Sequence, residues 1–500
     1  MSITGPGSIT AANVAAQTLM MNQLNTLSQQ LGTGQEAQTY SGLQSQAGVA
    51  LALNAQLSAI TGYSNTATTV GTTLSVAQSV LTQLGSAGTS LEQAIDQQSA
   101  FSLNNNGQTT VQSAAATQLD NILSMLNTQV GSNYIFSGSG TNQPSVASAS
   151  DILNGNGAQA GLTQIISERQ QADLGASGLG HLSASTAAST VTLSQDGTPF
   201  GFQLTGVDST LTGATVTGPS GSPATISVAL GSNPNAGDSI QFQLTLPDGS
   251  TQTISLQATT ALPPGANQFT IGTLPSDTAT NLQTALTSAI TGLTQTALPA
   301  ASAMAAANNF FNSDPPQRVN GSPPDTSTAL VNGTAANTVF WYTGENGSTP
   351  ARQTATAQVG PSMTIDYGMR ANEQALTTLV ANVAVLAATT YSASDPNAQA
   401  NYQALSQDVA GNLDGQPGTQ SISDIEADLA NAQTTVSNAS TLNSQTQTTL
   451  QDMMQTIDGV NQNQVGEQIL TLQNTLSASM SVTARLAQLS LVNYLAPSTG

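Results

Sequence analysis

Cysteine and lysine are absent from this chain, and histidine and tryptophan occur once each, as His181 and Trp341. Without cysteine it forms neither a disulfide nor a thiolate metal site. A lone histidine rules out histidine triads and multi-histidine metal centres. Charge is scarce as well. Charged residues fill 6% of the 500 positions, against roughly a quarter in an ordinary soluble domain. The five basic residues, all arginine, face 26 acidic ones, for a net charge of −21. No basic patch can be assembled, which excludes nucleic acid and an anionic membrane surface as partners. No run of about 18 apolar residues exists, so no transmembrane helix is expected. The N-terminal stretch MSITGPGSITAANVAAQTLM has no positive n-region and no unbroken apolar core, so no cleavable signal is expected either.

What the chain does have is serine, threonine, asparagine and glutamine in place of charge, arranged on long heptad patterns. Surfaces of that kind repel one another weakly and pack closely side by side. From Ile60 through Tyr63, Ala67, Val70, Leu74, Ala77, Leu81, Leu84, Gly88 and Leu91 to Ile95, the steps alternate three and four. That spacing predicts a long helix with a seam against partner helices. A shorter stripe of Met20, Leu24, Leu27 and Leu31 precedes it and stops at Gly32 and Gly34. A third helix carries Leu119, Ile122, Leu123, Met125, Leu126 and Val130 and is expected to end at Gly131.

The C-terminal part repeats the rhythm. Ile422, Ile425, Leu429, Ala432, Val436 and Ala439 are followed by Asn443 and Thr446, a polar pair in the seam of the kind that fixes register. Leu450, Met453, Ile457 and Val460 continue it, then Ile469, Leu472, Leu476 and Met480, with Leu486, Leu489 and Leu491 near the end. Helices of about 35 residues would be roughly 50 Å long, a rod rather than a globule. The seam at Leu81 and Leu84 is expected to face the run around Leu450 and Met453.

The middle of the chain reads differently. Ile226, Val228 and Leu230 alternate, as do Ile240, Phe242, Leu244 and Leu246; Pro247-Asp248-Gly249 supplies a turn before Ile254 and Leu256. This is a β-hairpin with one buried face, and a short helix is expected around Leu282 to Leu293. The fold class is therefore α+β, with helical segments at 1–150 and 366–500 flanking a β-rich insertion at 151–365. No catalytic, cofactor-binding or metal-ligating set emerges, so an enzyme is not expected. His181 reads as a surface loop histidine. Asp424, Glu426 and Asp428 read as acids complementing a helix N-terminus, and Phe340-Trp341-Tyr342 as a buried strand. Gly138-Ser139-Gly140 lacks the rest of a dinucleotide fingerprint, and Asn320-Gly, Asn332-Gly and Asn346-Gly are turn signals before they are glycosylation sites.

Particular stretches resemble a known family. The helical ends without cysteine, LGTG (Leu31 to Gly34) and NYIFSGSGTNQPSV (Asn133 to Val146) resemble bacterial flagellin and its relatives. Among these, the Tyr-Ile-Phe motif and the ending LAQLSLVNYL (Leu486 to Leu495) are most similar to the hook–filament junction type. WYTGENG (Trp341 to Gly347) and YGMRANEQAL (Tyr367 to Leu376) look like its return from the insertion. The segment QEAQTYSGLQSQAG, with no proline and one charge, departs from the family's usual Asp-Pro stretch.

The resemblance implies a long antiparallel rod built from both chain ends, with the β-rich domain inserted. It implies a structural flagellar subunit, extracellular and exported without a cleavable signal. Its partners would be copies of itself, other axial proteins such as hook-associated proteins and flagellin, and an export chaperone. The assembly and packing residues would be Leu24, Leu27, Leu74, Leu81, Leu84, Leu91, Tyr134, Phe136, Leu450, Met453, Ile457, Leu486 and Leu489. Gly138 and Gly140 would turn the backbone into the insertion. Filament flagellin is the alternative within the family, and a secreted surface adhesin the alternative outside it.

Overall fold

The computed structural model describes residues 6–98, 100–415 and 417–494, and the side chains of 11–98, 100–415 and 417–488. It is 54% helical and 17% strand, a mixed fold of the expected α+β class. The helices are α1 (Pro6–Thr33), α2 (Ala47–Asp96), α3 (Thr110–Leu126), α4 (Ala149–Asn154), α5 (Leu162–Leu174), α6 (Pro275–Gln295), α7 (Ala297–Asn312), α8 (Gln374–Ala388), α9 (Ala398–Leu413), α10 (Ile422–Asp458) and α11 (Gln462–Tyr494). The strands are β1 (Gln129–Val130), β2 (Asn133–Tyr134), β3 (Leu182–Ala187), β4 (Thr190–Gln195), β5 (Gln203–Ser209), β6 (Ala214–Ser220), β7 (Thr225–Leu230), β8 (Ser239–Thr245), β9 (Thr251–Thr259), β10 (Gln268–Thr270), β11 (Gln317–Val319), β12 (Leu330–Asn332), β13 (Thr356–Gly360) and β14 (Met363–Asp366). Two compact units result: one holds the residues up to 71, 357–365 and those from 434 onward; the other holds 72–356 and 366–433.

In the first unit, α1 stops because Gly34 takes φ +71°, a left-handed conformation open to glycine without strain. The chain there pairs with the α10–α11 connection: Val460 N–H donates to Gly34 O at 3.0 Å, and Glu36 N–H to Asp458 O at 2.6 Å. α1 packs along α11 through a thin seam. Leu27 and Val465 are buried, while Met20, Leu24, Ile469, Leu472, Leu476 and Leu486 are half-buried. Leu31 and Met480, expected in these stripes, are 39% and 47% exposed. On α11 the alternation runs through Leu476, Ser479 and Thr483, which leaves Met480 one position outside the seam.

Leu53, Ile60 and Leu450 form a separate small core with Leu57, Tyr63, Met454 and Ile457 packed against it. Met453 is not part of it and stands 50% exposed. After Leu450 the seam steps by four and then three, so Met454 takes the place that the sequence spacing gave to Met453. Asn443, 2% exposed, donates from Nδ2 to Val359 O of β13 at 2.8 Å. A buried amide that has one available acceptor ties the helix to one register.

In the second unit, Leu74, Leu81, Leu84 and Leu91 are all buried, at most 1% exposed. Thr82 Oγ1 donates to Glu426 Oε1 of α10 at 2.9 Å, and Gln118 Nε2 of α3 donates to Ala87 O at 2.7 Å. The Leu81–Leu84 stretch therefore lies beside the start of α10, and its expected pairing with Leu450 and Met453 is corrected. Antiparallel helices set late residues of one against early residues of the other, so Leu450 meets the earlier Leu53 and Ile60 instead.

α3 begins with a capping box: Gln112 N–H donates to Thr109 Oγ1 at 3.2 Å, and Thr109 N–H to Gln112 Oε1 at 2.9 Å. The same buried Gln112 donates from Nε2 to Thr389 O at 2.8 Å, satisfying the end of α8. α3 ends at Leu126 rather than Gly131 because Asn127 turns its amide to the backbone of Val146, donating to its O and accepting from its N–H, both at 3.0 Å. α8, QALTTLVANVAVLAA, is apolar all round and buried along almost its whole length. It packs on α3, α7 and α9, and its presence was not read from the sequence.

The strand-rich part holds two four-stranded sheets, β3-β4-β7-β6 and β5-β8-β9-β10. The β8–β9 hairpin is the one expected, with Phe242 opposite Ile254 and Leu244 opposite Gln252. One face of α6, carrying Ala279, Leu282, Leu286 and Ile290, joins Phe202, Ile226, Phe242 and Phe269 in a common core. Each leucine, isoleucine and phenylalanine among them contributes about 1.5–3 kcal/mol on burial. Pro275 opens α6, and Asp277 accepts the Leu274 N–H at 3.1 Å.

Two measurements test this packing. Leu84→Ala should lose about 2–5 kcal/mol in denaturant unfolding, whereas Met453→Ala should change stability by about 0.5 kcal/mol or less. The second test concerns Asp408 of α9, whose carboxyl is pushed up to about 7 by burial and then by the charge of Asp248 in the β8–β9 turn. The folded protein keeps a proton that the unfolded chain releases near 3.8. This stabilisation is complete below that pH and is lost as pH rises through about 7. Asp408→Asn should therefore stabilise the protein at pH 8 by about 1–2 kcal/mol, allowing for solvent screening of this partly exposed group, and should flatten the decline between pH 4 and 7.

Candidate assembly surface and arginine clasp

Among the described residues no group of three or more histidine, aspartate or glutamate side chains is placed to hold a metal ion. His181 is not the surface residue the sequence suggested: its side chain is 6% exposed. One ring nitrogen pairs with Asp196 Oδ2, the other with Ala172 O. Asp196 is partly buried, which raises its pKa, but hydrogen bonds from His181 and Thr198 outweigh this and hold it below its ordinary value. His181 thus pins the chain leaving α5 to the β4–β5 connection.

The sequence-derived assembly residues fall into separate places. Leu74, Leu81, Leu84, Leu91 and Phe136 are buried in the second unit, where Tyr134 is half-buried. Leu24, Leu27, Leu450, Ile457 and Leu486 are buried or half-buried in the first. The side chain of Leu489, and that of Leu491, lie outside the described residues.

The first unit also presents apolar surface. Val14, Leu19 and Met21 on α1, and Leu470, Met480 and Val482 on α11, are between 47% and 69% exposed. Inside the pair the seam is partly polar, Gln17 Nε2 donating to Thr483 Oγ1 at 2.9 Å. Two helices meeting through a narrow, partly polar stripe while large apolar side chains face outward form a surface suited to further helices.

The second unit gathers distant segments around two arginines. Arg370, 7% exposed, pairs with Glu345 and donates from Nη1 to Gly347 O at 2.8 Å. Arg352 donates from Nη2 to Glu373 Oε1 at 2.6 Å and from Nη1 to Gly368 O at 2.7 Å. Glu373 Oε1 also accepts the Arg370 N–H at 3.2 Å. The Tyr-Ile-Phe stretch closes over this cluster. Gly138 N–H donates to Met369 O and Ala371 N–H to Phe136 O, with Phe136 fully buried. Tyr342 donates its hydroxyl to Glu345 O at 3.0 Å, and burial holds that hydroxyl above its ordinary pKa.

Gly138 supplies the turn at φ +64°, and a Cβ there would meet Glu345 Oε2 at 3.0 Å. Gly140, expected to share this role, does not take a positive φ. The Phe340-Trp341-Tyr342 stretch is buried at Trp341 but is not a strand. Trp341 donates from Nε1 to Phe311 O at 2.9 Å and meets the Phe311 ring edge-on. Of the acids at the start of α10, Asp424 caps the helix through Ser421, Glu426 accepts from Thr82, and Asp428 lies 3.8 Å from Arg352. The clasp was missed because its pairs join residues far apart in the chain. The available signal was the rarity of arginine itself.

No protein-family model matches the chain, and no curated protein matches it.

Arg370→Met should destabilise the protein by about 3 kcal/mol, because Glu345 keeps a charge without its partner. Combining it with Glu345→Gln should cost less than the two single changes added together. Arg485→Met, at an exposed position of α11, should stay within about 0.5 kcal/mol. Thermal and urea melts of the parent and the four variants (Arg370→Met, Glu345→Gln, their combination and Arg485→Met) check this.

Proposed function

We propose that the protein is a non-enzymatic structural subunit of the bacterial flagellum, of the hook–filament junction type. In this reading both chain ends form a long antiparallel helical rod, the β-rich domain is inserted into it, and the chain is exported to the flagellum outside the cell. Its partners are further copies of itself, neighbouring axial proteins and an export chaperone.

The observation that carries the reading is the pairing of α1 with α11, the two helices nearest the chain ends, with exposed apolar side chains on both. The low charge of the chain also favours close side-by-side packing. The junction type is preferred because the stretch from Asn133 to Val146, which resembles that type, is built into a specific clasp. Filament flagellin remains the second reading, since paired chain-end helices suit it equally.

Immunogold labelling of intact flagella separates these. A single ring of label at the hook end is expected. Label along the whole filament favours flagellin, and label confined to the cell body would overturn the flagellar reading in favour of an adhesin. Leu19→Asp with Leu470→Asp, at positions 69% and 63% exposed, should leave the monomer melt unchanged and abolish assembly in sedimentation. Assembly equal to the parent would show that this face is not the contact.

A further inference from the structure

Helix α11 has a second face besides the one packed on α1. Val465, Leu472 and Leu476 belong to its covered side. About half a turn round the helix, Glu467, Leu470, Asn474, Ala478, Val482 and Arg485 form one stripe, and all six are exposed. Glu467 and Arg485 are 18 residues apart, about five whole turns, so both point the same way at a separation of roughly 27 Å. Leu470 and Val482 each stand three residues in from an end. The stripe is therefore symmetric about Leu476, with Glu467 answering Arg485, Leu470 answering Val482 and Asn474 answering Ala478. The charges at its ends are unpaired. Arg169, Arg318, Arg352 and Arg370 each meet a carboxylate, but among the described residues neither Arg485 nor the Glu467 carboxylate has an ion-pair partner.

We propose that two copies of this chain pair through this face, with their α11 helices antiparallel and a two-fold axis at Leu476. That arrangement sets Glu467 of each copy against Arg485 of the other. It brings Leu470 level with Val482 of the other copy, on either side of Asn474 and Ala478. Small central side chains let the helices approach closely, and the leucine and valine cover the flanks. A parallel pair in register would instead set glutamate on glutamate and arginine on arginine. The net charge of −21 does not prevent the contact. Only Glu36, Asp452, Asp458 and Glu467 of the acids fall in the first unit, and charge beyond about 10 Å is screened at 0.1 M salt. One helix face buries less than a standard interface, so the dissociation constant belongs at about 10–100 µM. A two-fold contact closes at two copies. It is thus separate from any growing contact, and the inference does not depend on the flagellar reading.

Sedimentation velocity of the full chain at about 300 µM in low salt should resolve a dimer, beside any larger assembly. Arg485→Glu and Glu467→Arg should each weaken dimerisation by about tenfold or more, because like charges then meet at both ends. Both changes in one chain should restore the dimer, and so should mixing the two single variants. The chain has no cysteine, so introduced ones report the orientation. Asn474→Cys mixed with Ala478→Cys should cross-link on oxidation with copper phenanthroline, whereas Glu467→Cys should not link to itself. A parent that shows no dimer at this concentration, a double reversal no stronger than the single ones, or self-linking of Glu467→Cys overturns the proposal.

Discussion

Arg370 cannot shed its charge, and the fold places it almost wholly out of water. A guanidinium so placed must be met by a carboxylate and by enough acceptors to use its donors. Glu345 and the carbonyl of Gly347 take the two Nη donors, the buried Nε–H is left without an acceptor, and Glu373 joins Arg370 to Arg352. Much of the surrounding sequence follows from this. A Cβ at Gly344 would lie 2.5 Å from the Tyr342 hydroxyl, and one at Gly347 would lie 2.2 Å from Glu345 Oε1. Gly138 must turn with a positive φ to bring its N–H to Met369. The stretches NYIFSGSGT, WYTGENG and YGMRANEQAL are therefore parts of one object, and a bulky residue at any of these glycines would open it.

The long helices solve a different problem, keeping a surface in water with almost no charge. Threonine does much of this, but largely by bonding its own helix. Thr61, Thr66 and Thr89 of α2 donate to carbonyls four residues back, as do Thr441, Thr448 and Thr449 of α10 and Thr471 and Thr475 of α11. A hydroxyl closed in this way gives up its donor to the backbone, and the methyl becomes the more available part of the side chain. Such a helix is wetted weakly and repels a like helix little. Its outer face is closer to apolar than its composition suggests.

The heptad periodicity made the helices legible, and the alternation of Ile240, Phe242 and Leu244 made the β8–β9 hairpin legible. Period is a local property, and both signals survive folding unchanged. Helix α8 was hidden because an all-round apolar run has no period. The Met453–Met454 choice was hidden because adjacent methionines fit alternate heptad steps equally well. His181 could not be placed, since its partners come from two separate places, Asp196 from the β4–β5 connection and Ala172 from helix α5. The arginine clasp was out of reach for the same reason. The resembling stretches pointed to its segments, but only the folded chain shows which carboxylate answers which arginine.

Burial changes sharply between parts of this chain, and that difference bears on what each part can do alone. In α8 nearly every residue is buried, and the strand-rich core joins Phe202, Phe242 and Phe269 with a full face of α6. In α1 and α11, Leu27 and Val465 are the buried apolar side chains among those described, at 8% and 6% exposure. Isolated helices are marginal in water, and most helical stability comes from packing an apolar face. A pair held by two buried side chains, a row of half-buried ones and a glutamine–threonine hydrogen bond gains little from its own seam. The apolar residues on its outer surface are then the larger untapped source of burial, available only when another surface covers them. The thinness of the seam and the exposed leucines and methionines beside it are two aspects of one design. The helices nearest the chain ends are stable in proportion to what packs against them.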